Sequence, residues 1–314
     1  MSTILYMVVP CYKEEEVLPE TASRLKTKFE TLIGNGTISE ESKIMFVNDG
    51  STDRTWEIIR KLHNENRLFA GVNLSKNRGH QNALLAGLMT AKEKADAVIS
   101  MDADLQDDID AIDEMLDKFK QGFDIVYAVR SERKKDSFFK RATAVGFYKM
   151  MRAMGVDIVF NHADYRLMSK RALDGLMQFK EVNLFLRGIV PMIGFPSDTV
   201  YYERAERFAG ETKYPLRKML AFAFEGVTSL SVRPIRMITL FGFLSFMASI
   251  IMLIYFIIDY MGGGTTPGWA STIVSIWGLG GLQLLAIGII GEYIGKIYME
   301  VKERPRYIIE NVLI

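Results

Sequence analysis

Two carboxylates two residues apart, Asp102 and Asp104, follow the apolar run Ala97–Ile99. At the end of a buried strand such a pair is costly unless something compensates its charge. A hard divalent cation bridging to phosphate oxygens would do so, and Mg2+ or Mn2+ favours a few carboxylates plus substrate phosphates. Gln106 is a further oxygen donor within reach in sequence. Alone, Asp-x-Asp is a weak signal, because acidic residues also gather at helix starts as dipole partners. Here Asp107, Asp108 and Asp110 suit that role for a helix at 109–119, while Asp102 and Asp104 lie nearer the strand end, where a metal would be held.

Three more polar clusters follow apolar runs: Pro10–Glu16, Asn48–Asp53 and Ser75–His80. In the second, Gly50 suits a turn and Thr52 or Asp53 a helix cap, while Asp49 is left to accept hydrogen bonds from a nucleobase or ribose. The third joins a glycine turn to basic and amide groups near a helix start, where phosphate can bind. His80 reads there as a structural or capping residue.

The elements that position these clusters alternate. Ile4–Val9, Ile44–Val47, Ala70–Leu74, Ala97–Ser100 and Ile125–Val129 read as strands. Val17–Leu32, Asp53–Asn64, Gln81–Lys94 and Ile109–Phe119 read as amphipathic helices. This alternation predicts an α/β domain with a mostly parallel sheet, and in such sheets ligands bind beyond the carboxyl ends of the strands. All four clusters fall there.

The chain has 314 residues and a net charge of +1, which gives no electrostatic case for nucleic acid. Its one cysteine, Cys11, cannot form an internal disulfide and reads as a small buried residue in a reducing compartment. The opening apolar run lacks the basic segment of a signal peptide.

The character changes after residue 214. Residues 215–233 mix apolar and basic side chains as an amphipathic helix at a membrane interface does, a helix packed on the globular domain being the alternative. Residues 237–258 and 269–290 carry no charge, and each is 22 residues long; about 20 span a bilayer. Arg217, Lys218, Arg233 and Arg236 precede the first span, Lys296, Lys302, Arg304 and Arg306 follow the second, and the loop between them has no Lys or Arg. By the positive-inside rule both ends face the cytoplasm. The expected organisation is a catalytic domain at 1–214, an interfacial helix at 215–233, a two-helix hairpin at 234–295 and a cytoplasmic tail at 296–314.

Taken together, Val8–Glu15, Val47–Asp53, Asn77–Ala83, Asp102–Gln106, Ala163–Met168, Arg187-Gly188, Tyr202–Arg204 with Arg207, Gly210–Met219 and Gly291–Tyr298 resemble family 2 glycosyltransferases of the Rossmann-like GT-A fold. More narrowly, the chain resembles polyprenyl-phosphate glycosyltransferases. That group includes dolichol-phosphate mannose synthase and the bacterial bactoprenol (undecaprenyl-phosphate) glucosyltransferases with two C-terminal spans. The resemblance implies inverting transfer from a UDP-sugar, with glucose the first choice and N-acetylglucosamine the second, to undecaprenyl phosphate at the bacterial plasma membrane, with Mg2+ or Mn2+ as cofactor. It implies nucleotide binding by Pro10, Tyr12, Glu14 and Asp49. It gives the metal to Asp102, Asp104 and Gln106, and catalytic roles to Asp104 and Asp164, the latter as base or acceptor-site carboxylate. It gives the donor and acceptor phosphates to Arg130, Arg207 and Lys213. Membrane lipid and further copies of the chain, as in a tetramer, are the implied partners. Two positions depart from the pattern: Lys13 stands where Asn is frequent, and Asp108-Ile109 replaces a common Pro-Pro. Two rivals stand beside this reading, a catalytically silent lipid- or nucleotide-binding scaffold and a polysaccharide synthase. The second lacks its Gln-x-x-Arg-Trp signature here.

Residues 131–141 hold Arg133, Lys134, Lys135, Lys140 and Arg141 beside Phe138 and Phe139. A solvated basic loop is the plain reading; beside a lipid-phosphate site, such a loop would gather the acceptor headgroup at an anionic surface. Neutralising Lys134, Lys135, Lys140 and Arg141 together is expected to raise the acceptor KM in a steady-state assay. An unchanged KM would remove that role.

Overall fold

The computed structural model describes residues 2–131, 162–182, 184–203, 228, 231–262 and 268–314. Among these, eight strands form one sheet: β1 (Leu5–Cys11), β2 (Lys43–Asn48), β3 (Phe69–Leu74), β4 (Ala97–Ser100), β5 (Ile125–Arg130), β6 (His162–Ser169), β7 (Ser197–Tyr202) and β8 (Ile309–Leu313). Their order is β7-β5-β6-β4-β1-β2-β3-β8. The pairs β1–β2, β1–β4, β2–β3 and β5–β7 are parallel, whereas β6 runs antiparallel to β4 and β5, and β8 antiparallel to β3. The five strands expected from apolar runs are β1 to β5, each within two residues of its expected bounds.

The helices α1 (Leu18–Gly34), α2 (Thr55–Glu65), α3 (His80–Ala91) and α4 (Ala111–Lys120) are the crossovers, and α5 (Lys170–Met177) and α6 (Leu186–Met192) follow β6. Pro19 in the first turn starts α1 without loss of a hydrogen bond. Ser169 caps α5, its hydroxyl accepting from the Ala172 N–H at 3.0 Å. The sheet is covered on both faces, so its strands are apolar at consecutive positions instead of alternating with polar ones. Alternate side chains still face opposite ways. Met7, Val9 and Phe46 pack on one side with Leu25, Phe29 and Met115. Val8, Met45 and Val47 pack on the other with Leu84, Leu88 and Leu173.

The described residues divide into two compact units, one holding β1–β8 with α1–α6, the other holding α7 (Arg233–Met261) and α8 (Trp269–Val301). Each long helix contains a stretch long and apolar enough to cross a membrane, Arg233–Met252 and Gly278–Val301. Leu240, Phe241, Phe243 and Leu244 on α7 and Leu284 and Leu285 on α8 are exposed, a surface suited to lipid and not to water. Within this unit the Tyr293 hydroxyl donates to the Ser231 carbonyl and Lys296 Nζ to Thr228 Oγ1, both at 2.6 Å. The interfacial helix expected at 215–233 falls almost wholly outside the described residues, as do Arg133–Arg141.

The C-terminal segment differs from a separate tail. Residues up to Val301 continue α8, and Ile309–Leu313 return as β8 to the edge of the sheet. An amphipathic pattern would have marked β8, but it is only five residues long and its partner β3 lies more than 230 residues away.

On the second face α3 lies very close to the sheet. A Cβ at Gly87 would sit 2.4 Å from Val8 Cγ1 and 2.6 Å from Val47 Cγ2. Gly87→Ala is therefore expected to cost about 1–3 kcal/mol through overpacking, seen as a lower midpoint of chemical unfolding. An unchanged midpoint would show that α3 lifts from the sheet freely.

Candidate active site

The sequence-predicted residues meet along the carboxyl edge of β1–β4. Pro10 is the penultimate residue of β1, paired in register with Val47. Tyr12 follows it and is 44% exposed, so its ring is open to a planar ligand. Lys13 takes a left-handed backbone, φ 58°, a region that Asn tolerates better than Lys. Its N–H donates to Ser51 Oγ at 3.1 Å, and the Glu14 N–H to Thr55 Oγ1 at 3.0 Å. The β1 loop is thus held by the β2 loop.

The β2 loop is held in turn by the loop after β3. Asp49 is buried, and its two oxygens accept from the Arg78 N–H at 2.7 Å and the Gly79 N–H at 2.9 Å. Burial raises the Asp49 pKa in spite of these bonds. Gly50 has φ +60°, and a Cβ there would meet the Asn77 nitrogen at 2.4 Å, so only glycine lets the two loops approach. Asp53 Oδ1 accepts from the Thr55 N–H at 3.2 Å just before α2, but the cap position expected for Thr52 or Asp53 is held by Arg54, and no side chain caps the helix.

The second half of the site follows from the antiparallel pairing of β4 with β6. Ser100 lies opposite Arg166, and carrying that register two residues further brings Asp102 opposite Asp164. His80, the first residue of α3, bridges them, with Nε2 3.6 Å from Asp102 Oδ1 and 3.5 Å from Asp164 Oδ2. The expectation of a merely structural or capping histidine misses this placement, because nothing local in Ser75–His80 announces a partner on β6. The carboxylates raise the His80 pKa against the opposing effect of burial.

Asp102 and Asp164 occupy opposite electrostatic situations. The Asp102 side chain is 34% exposed and that of Asp164 9%. Burial, opposed by His80 and reinforced by the charges of Asp164, Asp107 and Asp104, pushes Asp102 up to about 6. Burial would also raise Asp164, but Arg187, His80 and Arg166 hold it well below the usual carboxylate range. Arg166 Nη2 donates to Asp164 Oδ1 at 2.6 Å and Arg187 Nη2 to Oδ2 at 3.1 Å. Arg166 is fully buried, and its Nε and Nη1 have no hydrogen-bond partner among the described residues.

Asp104 Oδ1 accepts from the Gln106 N–H at 3.2 Å, which closes the metal-type loop on itself. Gln106 is buried, and Leu105 between them has φ 57°. Asp110 is a surface residue paired with Lys28 at 2.7 Å, as its place near a helix start suggests. Asp107 departs from that role. It is buried, accepts from the Tyr202 hydroxyl and lies 3.5 Å from Arg130 Nη2. Arg130 also donates to Tyr202 Oη at 3.1 Å, so it enters the site already paired. Arg207 and Lys213 lie outside the described residues. Among the described residues no group of three or more His, Cys, Asp or Glu is placed to hold a metal by itself.

The family model described as "Glycosyl transferase family 2" matches residues 6–177, which contain all of these loops. The chain belongs to glycosyl transferase family 2. It is 56% identical to a Bacillus subtilis (strain 168) protein described as an uncharacterized glycosyltransferase, YkoT, over 98% of this chain and 91% of that one. It is 40% identical to the prophage bactoprenol glucosyl transferase homolog of Escherichia coli (strain K12) over 98% of each chain. It is 42% identical to the SfII prophage-derived bactoprenol glucosyl transferase of Shigella flexneri over 97% of each. Each of these matches covers 97% or more of this glycosyltransferase and so takes in both long helices.

The two carboxylates oppose each other in their effect on stability. The folded pKa of Asp102 lies above its ordinary 3.8, so its ionisation destabilises the ligand-free fold. This loss develops as the pH rises from about 4 to 6 and is complete above. Asp164 is depressed and contributes stability above its unfolded value, lost as the pH falls through its lowered one. Asp102→Asn is expected to stabilise the ligand-free protein by roughly 1–2 kcal/mol at pH 8 and by much less at pH 4, allowing for solvent access. Thermal unfolding at the two pH values checks this; equal melting shifts would refute the assignment.

Proposed function

We propose that this glycosyltransferase moves one sugar from a UDP-sugar to undecaprenyl phosphate at the cytoplasmic face of a bacterial plasma membrane, with inversion at the sugar carbon and with Mg2+ or Mn2+ as cofactor. The observation that carries the reading is the Asp102–His80–Asp164 constellation at the carboxyl edge of the sheet. It sets a half-open carboxylate that a cation would keep ionised beside a buried one that two arginines already compensate. The bactoprenol names of full-length relatives support the acceptor. Glucose as the sugar rests on those names as well.

Asp102 and Asp104, with Gln106, fit a divalent cation: like charges and burial raise Asp102, and a cation removes that cost. When bound, the cation neutralises charge that develops on the departing diphosphate. The protein's own groups do the rest. Tyr12, Glu14 and Asp49 line the loops that take the nucleoside. The acceptor phosphate oxygen forms its bond to the sugar's anomeric carbon as the bond to the donor diphosphate breaks, and UDP leaves with the electron pair. A phosphate monoester is already anionic at neutral pH, so no strong base is required. Asp164 would be a weak one, because its neighbours hold its pKa well below the usual carboxylate range. Its role is to orient Arg187, whose half-exposed guanidinium lies 3.1 Å away and suits an acceptor phosphate. Alignment of two anions is the main task.

The basic flanks support a hairpin with both ends inside the cell. Chain connectivity supports it independently. The segment after α8 returns to pair with β3 of the catalytic unit, as it would in a chain that crosses a bilayer an even number of times between β7 and β8.

The test is transfer from a panel of labelled UDP-sugars to undecaprenyl phosphate in detergent, with Mn2+ or EDTA. A lipid carrying one sugar is expected, lost with EDTA and reduced by roughly a hundredfold or more in Asp104→Asn. A polymer, or product that survives EDTA, would refute the reading. Asp164→Asn is expected to lower kcat without shifting the lower limb of the pH–rate profile; a shift of that limb would make Asp164 the base.

A further inference from the structure

Strand β8 does more than cover the edge of the sheet. Its register with β3 is regular from Gly71 opposite Leu313 to Asn73 opposite Asn311, and then slips, with Leu74 opposite Ile309. Glu310 is the extra residue of that bulge. In a regular strand it would point away from the face that Asn311 shares with Asn73; a bulge re-aims such a side chain. Glu310 Oε2 accepts from Asn73 Nδ2 at 2.7 Å. Asn73 is buried, and its Oδ1 accepts from Asn48 Nδ2 at 2.7 Å. Asn48, also buried, accepts through Oδ1 from the Ser51 N–H at 3.3 Å. Ser51 Oγ accepts from the Lys13 N–H. Every amide in the series therefore donates toward Glu310, and the carboxylate is the acceptor at its end. A second tie runs beside the first: the Ile308 carbonyl accepts from the Ser75 N–H at 3.0 Å, at the head of the loop whose backbone holds Asp49.

We propose that Glu310, at the β8 bulge, is a positioning residue for the nucleotide site, fixing through Asn73 and Asn48 the turn that carries Asp49 and the β1 loop that carries Tyr12. Hydrogen bonds in such a series polarise one another, and a buried amide that loses its acceptor is costly, so the two asparagines have reason to turn if the terminal acceptor is removed. The loops at the two ends of the series are the ones that take the nucleoside, so the predicted consequence is in donor binding and not in the transfer step. This rests on the reading of those loops as the UDP-sugar site.

The experiment uses the full chain in detergent and measures UDP binding, donor KM and kcat for wild type, Glu310→Ala, Glu310→Gln and Val312→Thr. Gln keeps an acceptor oxygen at the end of the series. Val312 lies on the same strand, opposite Val72 and outside the series. The expected result is a three- to tenfold weaker UDP affinity and a matching rise in donor KM for Glu310→Ala, with kcat within twofold. Glu310→Gln and Val312→Thr are expected within twofold of wild type throughout. UDP affinity unchanged in Glu310→Ala would overturn the proposal. So would an equal loss in Val312→Thr, which would reduce the effect to general weakening of β8, or a loss in Glu310→Gln as large as in Ala. Wild type that binds no UDP, while all four proteins melt alike, would overturn the reading of the donor site itself.

Discussion

The pairing of β4 with β6 is the constraint on which the site depends. It is antiparallel within a largely parallel sheet, and so it brings the start of one strand to the end of another. Asp164 thereby arrives beside Asp102 although 62 positions separate them in the chain. Two carboxylates so placed repel unless cations stand between and behind them. His80 stands between, and Arg166 and Arg187 stand behind Asp164. The charge that remains uncompensated is on the Asp102 side, which is also the open side. The fold leaves an unfavourable charge on the more open carboxylate, where a ligand can relieve it, and compensates the more buried one with its own cations.

Much of this architecture was legible in the chain. The apolar runs that became β1 to β5 are buried on both faces, so their composition alone marked them. The polar clusters after them were readable because a parallel sheet sends every strand end to one edge. The residues that escaped are those whose role depends on register. His80 looked like a capping residue because its partners lie just beyond β4 and on β6. Asp107 looked like a helix-dipole partner because its sequence position matches one, yet Tyr202 and Arg130 reach it from β7 and β5. Arg166 and Arg187 appeared only within motifs of resemblance, with no spacing that tied them to Asp164. Local patterns reveal strand ends; they do not reveal which strand lies next door.

The loops themselves form an interlocked set. Lys13 is held by Ser51, Glu14 by Thr55, and Asp49 by Arg78 and Gly79. Gly50 has no room for a side chain against the Asn77 backbone. Such loops present ligand-binding groups without having to order them at the moment of binding, which lowers the cost of association. The left-handed Lys13 and Leu105 are local strains of the kind that cluster at functional sites and persist because their surroundings fix them.

The place of β8 in the chain also sets a schedule. A ribosome adds roughly 5–20 residues per second, and β3 is made long before α7, α8 and β8. Until β8 emerges, β3 is an open sheet edge, the kind of surface that recruits other strands. Asn73 meanwhile has no Glu310 to accept its hydrogen bond. The catalytic unit therefore finishes folding only after both long helices have been made, and a soluble fragment cut before α7 would carry its unfinished edge permanently.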